Sequence, residues 1–399
     1  MKITLDPAVY RERLDAIREE LGRRNLDALY LSNPVDIFYS VGGCLVPTER
    51  PLALVVPRDK REEPLLLIPG LEIDHAREAV PLVKELETYF DYPGTTPPIA
   101  VFGEALKRRG YSSRRIGIDQ AAAGGMGYIG VDIARYLPEA TFVHAPDVLL
   151  GLRLRKSPEE INFLKESAAW GRRVLHMLLG AIQPGRLEIE VGMHVSTEAT
   201  QLFLEEIGPD YLHVLAYGYG PAFAVFTSGA ATAFPHPLPL NRRVHRGDTI
   251  ICGVGATLGG YNSELERTMF VGPPSEKQVH YFELAREIQA YAAKALQPSR
   301  TASDAEKDIR DHIRKRGCLE LVRHRTGHGI GLDIHEPPWI DVGDETVIEP
   351  GMVVSCEPGL YVPGFSGFRH SDTILITASG PENLTEAAPH DWASLTIPC

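Results

Sequence analysis

His324-Arg325-Thr326-Gly327-His328-Gly329-Ile330-Gly331-Leu332-Asp333-Ile334-His335-Glu336 is the stretch on which the reading of this chain turns. Downstream lies Ser355-Cys356-Glu357-Pro358-Gly359, and upstream Gly259-Gly260-Tyr261-Asn262-Ser263-Glu264-Leu265-Glu266-Arg267-Thr268. A His framed by glycines, a second His nearby and two carboxylate-bearing strands suit a hydrolytic centre. Imidazoles and carboxylates in such a cluster either ligate a divalent metal or relay protons.

Composition bounds the setting. A chain of 399 residues exceeds one typical domain, so two domains are expected. With 44% hydrophobic and 24% charged residues it is an ordinary globular sequence. No apolar run approaches the ~20 residues that span a bilayer. Met1-Lys2-Ile3-Thr4-Leu5-Asp6 lacks the apolar core of a secretory signal, and a cytoplasmic location is the expectation. The net charge of −12 argues against nucleic acid or an anionic membrane as partner, and acidity is read simply as solubility. Cys44, Cys252, Cys318, Cys356 and Cys399 show no CxxC spacing and no disulfide framework, which fits a reducing compartment. Cys356 is read as a small buried strand residue rather than a nucleophile.

The first part of the chain alternates helix and strand signals. Residues 10–21 carry helical spacing, 26–31 and 115–119 read as strands, and 129–137 as a helix. Residues 51–57 and 64–69 are short apolar runs bounded by prolines, hence buried strands. Ser157-Pro158-Glu159-Glu160 then gives an N-cap, a proline at the first helical position and a capping-box glutamate. We place the boundary there, with an N-terminal α/β domain over 1–153 and a second domain over 154–399. The second domain mixes helices at 188–207, 277–295 and 302–316 with strands at 248–255, 265–271, 352–355 and 372–376. The chemistry-bearing residues fall mainly on neighbouring strands, which hold side chains more rigidly than loops.

These motifs resemble the pita-bread-fold family of creatinase, prolidase, aminopeptidase P and methionine aminopeptidase, and the resemblance covers essentially the whole chain. It implies an α/β (α+β) fold, with a creatinase/prolidase-type N-terminal domain before a pita-bread catalytic domain. In the family's peptidases two metals are held by two Asp, one His and two Glu. By resemblance those positions fall on Gly253, Glu264, His328, Glu357 and Ser371. Glycine offers no donor and serine a poor one, so a two-metal mechanism is not expected. His328, Glu264 and Glu357 keep the ligand count of an open mononuclear site for Mn, Co or Zn.

Leu265-Glu266-Arg267-Thr268 looks instead like the corresponding stretch of creatinase, which works without metal. On that resemblance His236, in Phe234-Pro235-His236-Pro237, is the acid/base. Glu266 and Glu357 hold a cationic substrate group, and His335 supports the substrate or transition state. Glu264 and His328 join the substrate-binding set. Arg50 matches an arginine that reaches a partner's site and binds the substrate carboxylate, implying a homodimer with shared active sites. Creatinase's second carboxylate-binding arginine has no counterpart, its position falling near Asp341, and His370 is a departure of unassigned role.

Elementary electrostatics points the same way. Three converging carboxylates, Glu264, Glu266 and Glu357, repel one another and are costly to bury unpaired. A metal, a proton or a cationic substrate must compensate them. Strand alternation puts Glu264 and Glu266 on one face and Arg267 on the other, which weakens a structural Glu266–Arg267 pair. The expected function is therefore metal-independent hydrolysis of a C–N bond in a small cationic or zwitterionic amidine, guanidine or amide, with no cofactor. The alternatives are an Xaa-Pro dipeptidase with one divalent metal, and a non-catalytic ligand- or peptide-binding member of the fold. Phe223, Phe226, Trp339, Tyr361 and Phe365 are candidates for the pocket lining.

Overall fold

Short runs of Leu, Val and Ile with no polar alternation form strands that must be covered on both faces. In the computed structural model they are: β1 (Ala28–Leu31), β2 (Ala53–Pro57) and β3 (Leu65–Pro69) are buried at every position. With β4 (Glu85–Tyr89), β5 (Arg115–Ile118) and β6 (Thr141–His144) they make a mixed sheet in the order β4-β3-β2-β1-β5-β6. One face of it packs Tyr30, Val55 and Leu67 against Phe102 and Leu106 of helix Pro98–Arg108. The structure describes all residues except 1–3, 46–47, 121–129, 209–210, 212–219 and 238–240. The expected helix over 129–137 is a single 3-10 turn, Ile133–Tyr136, capped by Asp132, and residue 129 lies outside the described residues.

By compactness the chain divides between Arg153 and Leu154. Just past the division, helix Pro158–Ala181 starts on the capping box of Ser157 and Glu160, both halves of which form. It packs across β8 (Thr249–Leu258), while helix Glu188–Ile207 covers β7 (Ala222–Ser228). β8 turns through Gly259 and Gly260, both with positive φ, into the short β9 (Tyr261–Asn262) and then β10 (Leu265–Val271). Positive φ at two successive positions is affordable only because neither residue carries a Cβ. Helices Glu276–Ala295 and Ala302–Lys315 pack against each other before the second sheet.

That second sheet contains β11 (Gly327–Gly329), β12 (Glu336–Ile340) and β13 (Val353–Cys356). A small ribbon of β14 (Gly359–Val362) and β15 (Ser366–Arg369) precedes β16 (Asp372–Thr377) and β17 (Gly380–Asn383), and β18 (Thr396–Ile397) closes the chain. The orders are β18-β10-β8-β7, with β9 beside β8, and β12-β11-β13-β16-β17. The two sheets meet at one antiparallel bridge, where Glu266 N donates to Ser371 O (3.2 Å) and Ser371 N to Glu266 O (3.1 Å). Among the described residues no helix is long and apolar enough to cross a membrane.

Arg267 secures this junction from behind. Its guanidinium pairs with Asp372 at 2.8 Å, the two side chains 2% and 6% exposed, and donates to the Glu266 and Ser371 carbonyls. Asp372 also accepts from Thr385 and Gln289. Removing one partner of a buried pair strands the other charge, which costs about 3–5 kcal/mol. Arg267→Met is thus expected to lose that much stability in urea titration. A loss below about 1 kcal/mol would show that the pair does not hold the junction.

Candidate functional site

Register builds the site. Val225 on β7 lies opposite Gly253 on β8, Gly253 opposite Glu266 on β10, and Glu266 opposite Ser371, so one row crosses both sheets. Residues directly opposite share a face. A Cβ at Gly253 would lie 3.6 Å from Glu266 Oε1, in ordinary contact, so position 253 directly adjoins the Glu266 carboxyl. Ser371 Oγ is engaged with Ser355 Oγ at 2.9 Å. Glu264, one residue before β10, is anchored through its backbone to Thr373 Oγ1. Glu357, one residue after β13, donates its N–H to Thr326 O.

Carboxylate oxygens of Glu264, Glu266 and Glu357 all lie within 4.8 Å of one another. His328, on β11 and fully buried, places Nε2 3.6 Å from Glu264 Oε2 and 3.3 Å from Glu357 Oε1. Its Nδ1 lies 3.0 Å from the Gly329 carbonyl, which can only accept, so Nδ1 carries the proton and Nε2 faces the acids. His335 is exposed, its ring centroid 4.0 Å from that of His328. The structure thus gathers Glu264, Glu266, Glu357, His328 and His335. His236 stands exposed at the rim of a cavity of about 320 Å³ that it lines with Phe226, Phe234, Gly253, Glu266 and Arg369. A larger groove of about 460 Å³ runs along helix Glu188–Ile207, but it is mostly apolar and its Glu188 is bonded to Ser228. Of the candidate acids and bases, His236 and Glu266 line the smaller cavity.

Sequence reasoning missed Arg369. Its Nη2 bonds Glu266 Oε1 at 2.5 Å, and Nη1 donates to Tyr361 Oη and to the Pro235 carbonyl, each at 3.2 Å. Tyr361 in turn donates to His324 Nε2 (2.8 Å), because His324 Nδ1 is committed to the Arg325 carbonyl (2.8 Å). Arg369 therefore ties Glu266 to the segment carrying His236. Its signal was available: it stands two residues before Ser371, hence on the same side of an extended chain.

This corrects the charge argument. The protein itself supplies a counter-cation, so the substrate need not balance all three acids. Arg267 is turned away, as strand alternation predicts, and Arg369 is the cation that pairs with Glu266. Burial still pushes the Glu266 carboxyl up to about 8, Arg369 opposing and Glu264 and Glu357 adding to the shift. Glu264 is raised by burial and then by Glu357. Burial would also raise Glu357, but His328 and Arg369 outweigh it and hold that carboxyl at about 2. His328 is raised because the two acids overcome its burial, whereas burial and the neighbouring His328 bring His335 down to about 4.

His370 is buried edge-on against Phe282, centroids 4.7 Å apart, and it feels Arg267 and Arg286, so it lies on the face away from Glu266. Arg50, in the N-terminal unit, is paired with Asp91 at 2.6 Å and Glu49 at 2.7 Å. Cys356 is buried on its strand, its thiol pushed well up by burial. Of the aromatic candidates Phe226 lines the cavity and Tyr361 bonds Arg369, whereas Phe365 packs on Tyr281 and Phe368, and Trp339 lies under Arg325.

Donors for one divalent ion are present. His328 Nε2 and Glu264 Oε2 are buried without a hydrogen-bond partner and converge with Glu357, which is how an oxygen-and-imidazole site presents itself. Gly253 and Ser371 supply no carboxylate to a further ion, and Glu266, which with Glu264 and Glu357 forms the other group of converging donors, already pairs with Arg369.

Comparison with known proteins agrees with this architecture. Residues 162–378 match the model of metallopeptidase family M24, and residues 13–155 that of the creatinase/prolidase N-terminal domain. An Xaa-Pro dipeptidase of Pyrococcus furiosus is 30% identical over 383 residues, covering 94% of this chain and 98% of that one. One of Lactobacillus helveticus is 30% identical over 93% of this chain and 96% of its own. The crystal structure of dipeptidase PepE from Mycobacterium ulcerans superimposes with a TM-score of 0.84 at 28% identity, covering 99% of this chain and 100% of that one. The chain belongs to metallopeptidase family M24, with the pita-bread fold and the creatinase/prolidase N-terminal domain, and is a hydrolase of C–N bonds.

Proposed function

We propose that this hydrolase cleaves a C–N bond in a small amide or amidine by side-chain acid–base chemistry, without a metal ion. The observation that carries this is the row Gly253–Glu266–Ser371, where a carboxyl braced by Arg369 stands between a glycine with no donor and a serine whose hydroxyl is engaged with Ser355. Glu264 Oε2 and Glu266 Oε2 are buried acceptors without partners, and N–H groups of an amidine, amide or amine would satisfy both. His236, at the cavity rim, takes a proton from the attacking water and returns it to the leaving nitrogen. Glu266 and Glu357 hold the nitrogenous end, and His335 supports the developing charge. Glu266→Gln and His236→Ala are each expected to lower kcat by about 10²- to 10⁴-fold, the usual worth of a positioned acid or base. Turnover left intact in both variants would sink this reading.

A second reading is favoured by the relatives' names and by the orphaned His328 Nε2: an Xaa-Pro dipeptidase with one divalent ion. Glu264, His328 and Glu357 would hold the ion. When bound, such an ion polarises the scissile carbonyl and lowers the pKa of water. His236 would then serve the leaving nitrogen, and Arg369 would keep Glu266 out of the ligand set. The sequence residues favour the first reading and the relatives favour the second. Metal content, with turnover of Gly-Pro and of amidino and N-acyl amino acids before and after chelation, separates them. We expect cleavage of an amidino or N-acyl compound to survive chelation. Loss of activity restored by Mn²⁺, Co²⁺ or Zn²⁺ would establish the second reading instead.

Arg50 and the homodimer with shared sites belong to the same proposal. Arg50 would exchange Asp91 and Glu49 for a substrate carboxylate at the partner's site, and sedimentation velocity is expected to show a dimer. A monomer at micromolar concentration would remove that role.

A further inference from the structure

His335 stands just before β12, its ring centroid 4.0 Å from that of His328 and the two planes 44° apart. The chain on either side of it is held. Glu336, the next residue, is buried and pairs with the buried Lys156 ammonium at 2.7 Å, and its other oxygen accepts from Asp333 N. Asn262 Nδ2 donates to the Gly331 and Leu332 carbonyls, at 2.9 and 3.0 Å. The His335 imidazole itself is exposed, and among the described residues no hydrogen bond engages its ring nitrogens. Its place beside His328 is therefore set by the backbone, with both nitrogens uncommitted.

His328 Nε2 carries a lone pair, because the proton is on Nδ1, and it faces Glu264 Oε2 at 3.6 Å. Both atoms are buried without a hydrogen-bond partner. Two such acceptors face to face are costly unless a cation fills the space between them. Ligand atoms roughly 2.0–2.2 Å from a tetrahedral ion stand about 3.4 Å from one another, close to the separation seen here. One ligand atom each from Glu264, His328 and His335 all lie within 4.8 Å of one another, near enough to close on a single ion. Gly253 and Ser371 offer that ion no carboxylate, and Arg369 already holds Glu266 Oε1. His335 is the uncommitted donor that remains beside His328.

We infer that His335 is a metal ligand, binding one divalent ion together with His328 and Glu264. This rests on the metal-bearing reading above and adds a second imidazole to its ligand set. Two imidazoles where carboxylates are missing make the set richer in nitrogen, which suits Zn²⁺ or Cu²⁺ rather than Mn²⁺ or Mg²⁺.

Metal binding tests this without turnover. The full chain, stripped with a chelator, would be titrated with Zn²⁺ in a calorimeter. One equivalent of Cu²⁺ would be added separately for pulsed EPR, which counts coordinated imidazoles through their remote nitrogens. One zinc per chain and two imidazoles on copper are expected. Loss of an outer-shell partner already costs about 10–100-fold in metal affinity, so His335→Ala should weaken zinc by at least about tenfold. It should also leave a single imidazole on copper, as should His328→Ala. Because His335 is exposed, its variant is expected to keep the thermal midpoint of the metal-free parent, which separates loss of a ligand from loss of the fold. A single imidazole on copper in the parent chain, an unchanged zinc affinity in His335→Ala, or no zinc bound at micromolar concentration would overturn the assignment. Zinc held through both imidazoles with no turnover of Gly-Pro would instead sink the metallopeptidase reading and leave the ligand set standing.

Discussion

A carboxyl group at position 266 can be buried in this site because Arg369 stands against it. An isolated buried carboxylate is costly enough that it takes up a proton instead. Here both remedies are visible. The guanidinium takes one oxygen, and burial lifts the carboxyl to about 8. The rest of the site follows from that arrangement. Arg369 also holds the Pro235 carbonyl and the Tyr361 hydroxyl, so the position of the Glu266 head group, the segment bearing His236 and the His324–Tyr361 pair are fixed together.

The site divides into two electrostatic halves. On one side His328 Nε2 lies between Glu264 Oε2 and Glu357 Oε1, and neither that nitrogen nor the Glu264 oxygen makes a hydrogen bond. On the other, Glu266 Oε1 pairs with Arg369 while Glu266 Oε2 is buried without a hydrogen bond. The first half has the composition of a mononuclear metal site and equally that of a receptor for N–H donors, since both need buried acceptors with free lone pairs. In the second half the Arg369 guanidinium already balances one oxygen of Glu266, so less negative charge is left there for a ligand to neutralise.

Much of this was legible in the residues alone. The capping box at Ser157 is a local hydrogen-bond pattern, so the start of the long helix could be read from four letters. Apolar runs between prolines gave β2 and β3, and the glycine pair at 259–260 gave the turn into β10. The face shared by Glu264 and Glu266 followed from strand alternation, and so did the outward turn of Arg267. The helix expected over 129–137 failed because its apolar spacing is met by a 3-10 turn: Ile133 in it and Leu137 just after it pack into the sheet's core without a longer helix. β12 and β15 escaped notice because their proline, glycine or charged residues mask any period of two.

Residue types and their spacing along the chain determined the family of folds, the acids and imidazoles available, and the absence of donors at positions 253 and 371. Those are properties of local sequence. Which of these groups face one another was settled only by the tertiary structure, because the partners are far apart in the chain. Arg369 meets Glu266 from 103 residues away, and Arg267 meets Asp372 from 105. No local pattern encodes such pairings. They arise from the antiparallel bridge between the two sheets, and that bridge decides which cation balances the buried acids.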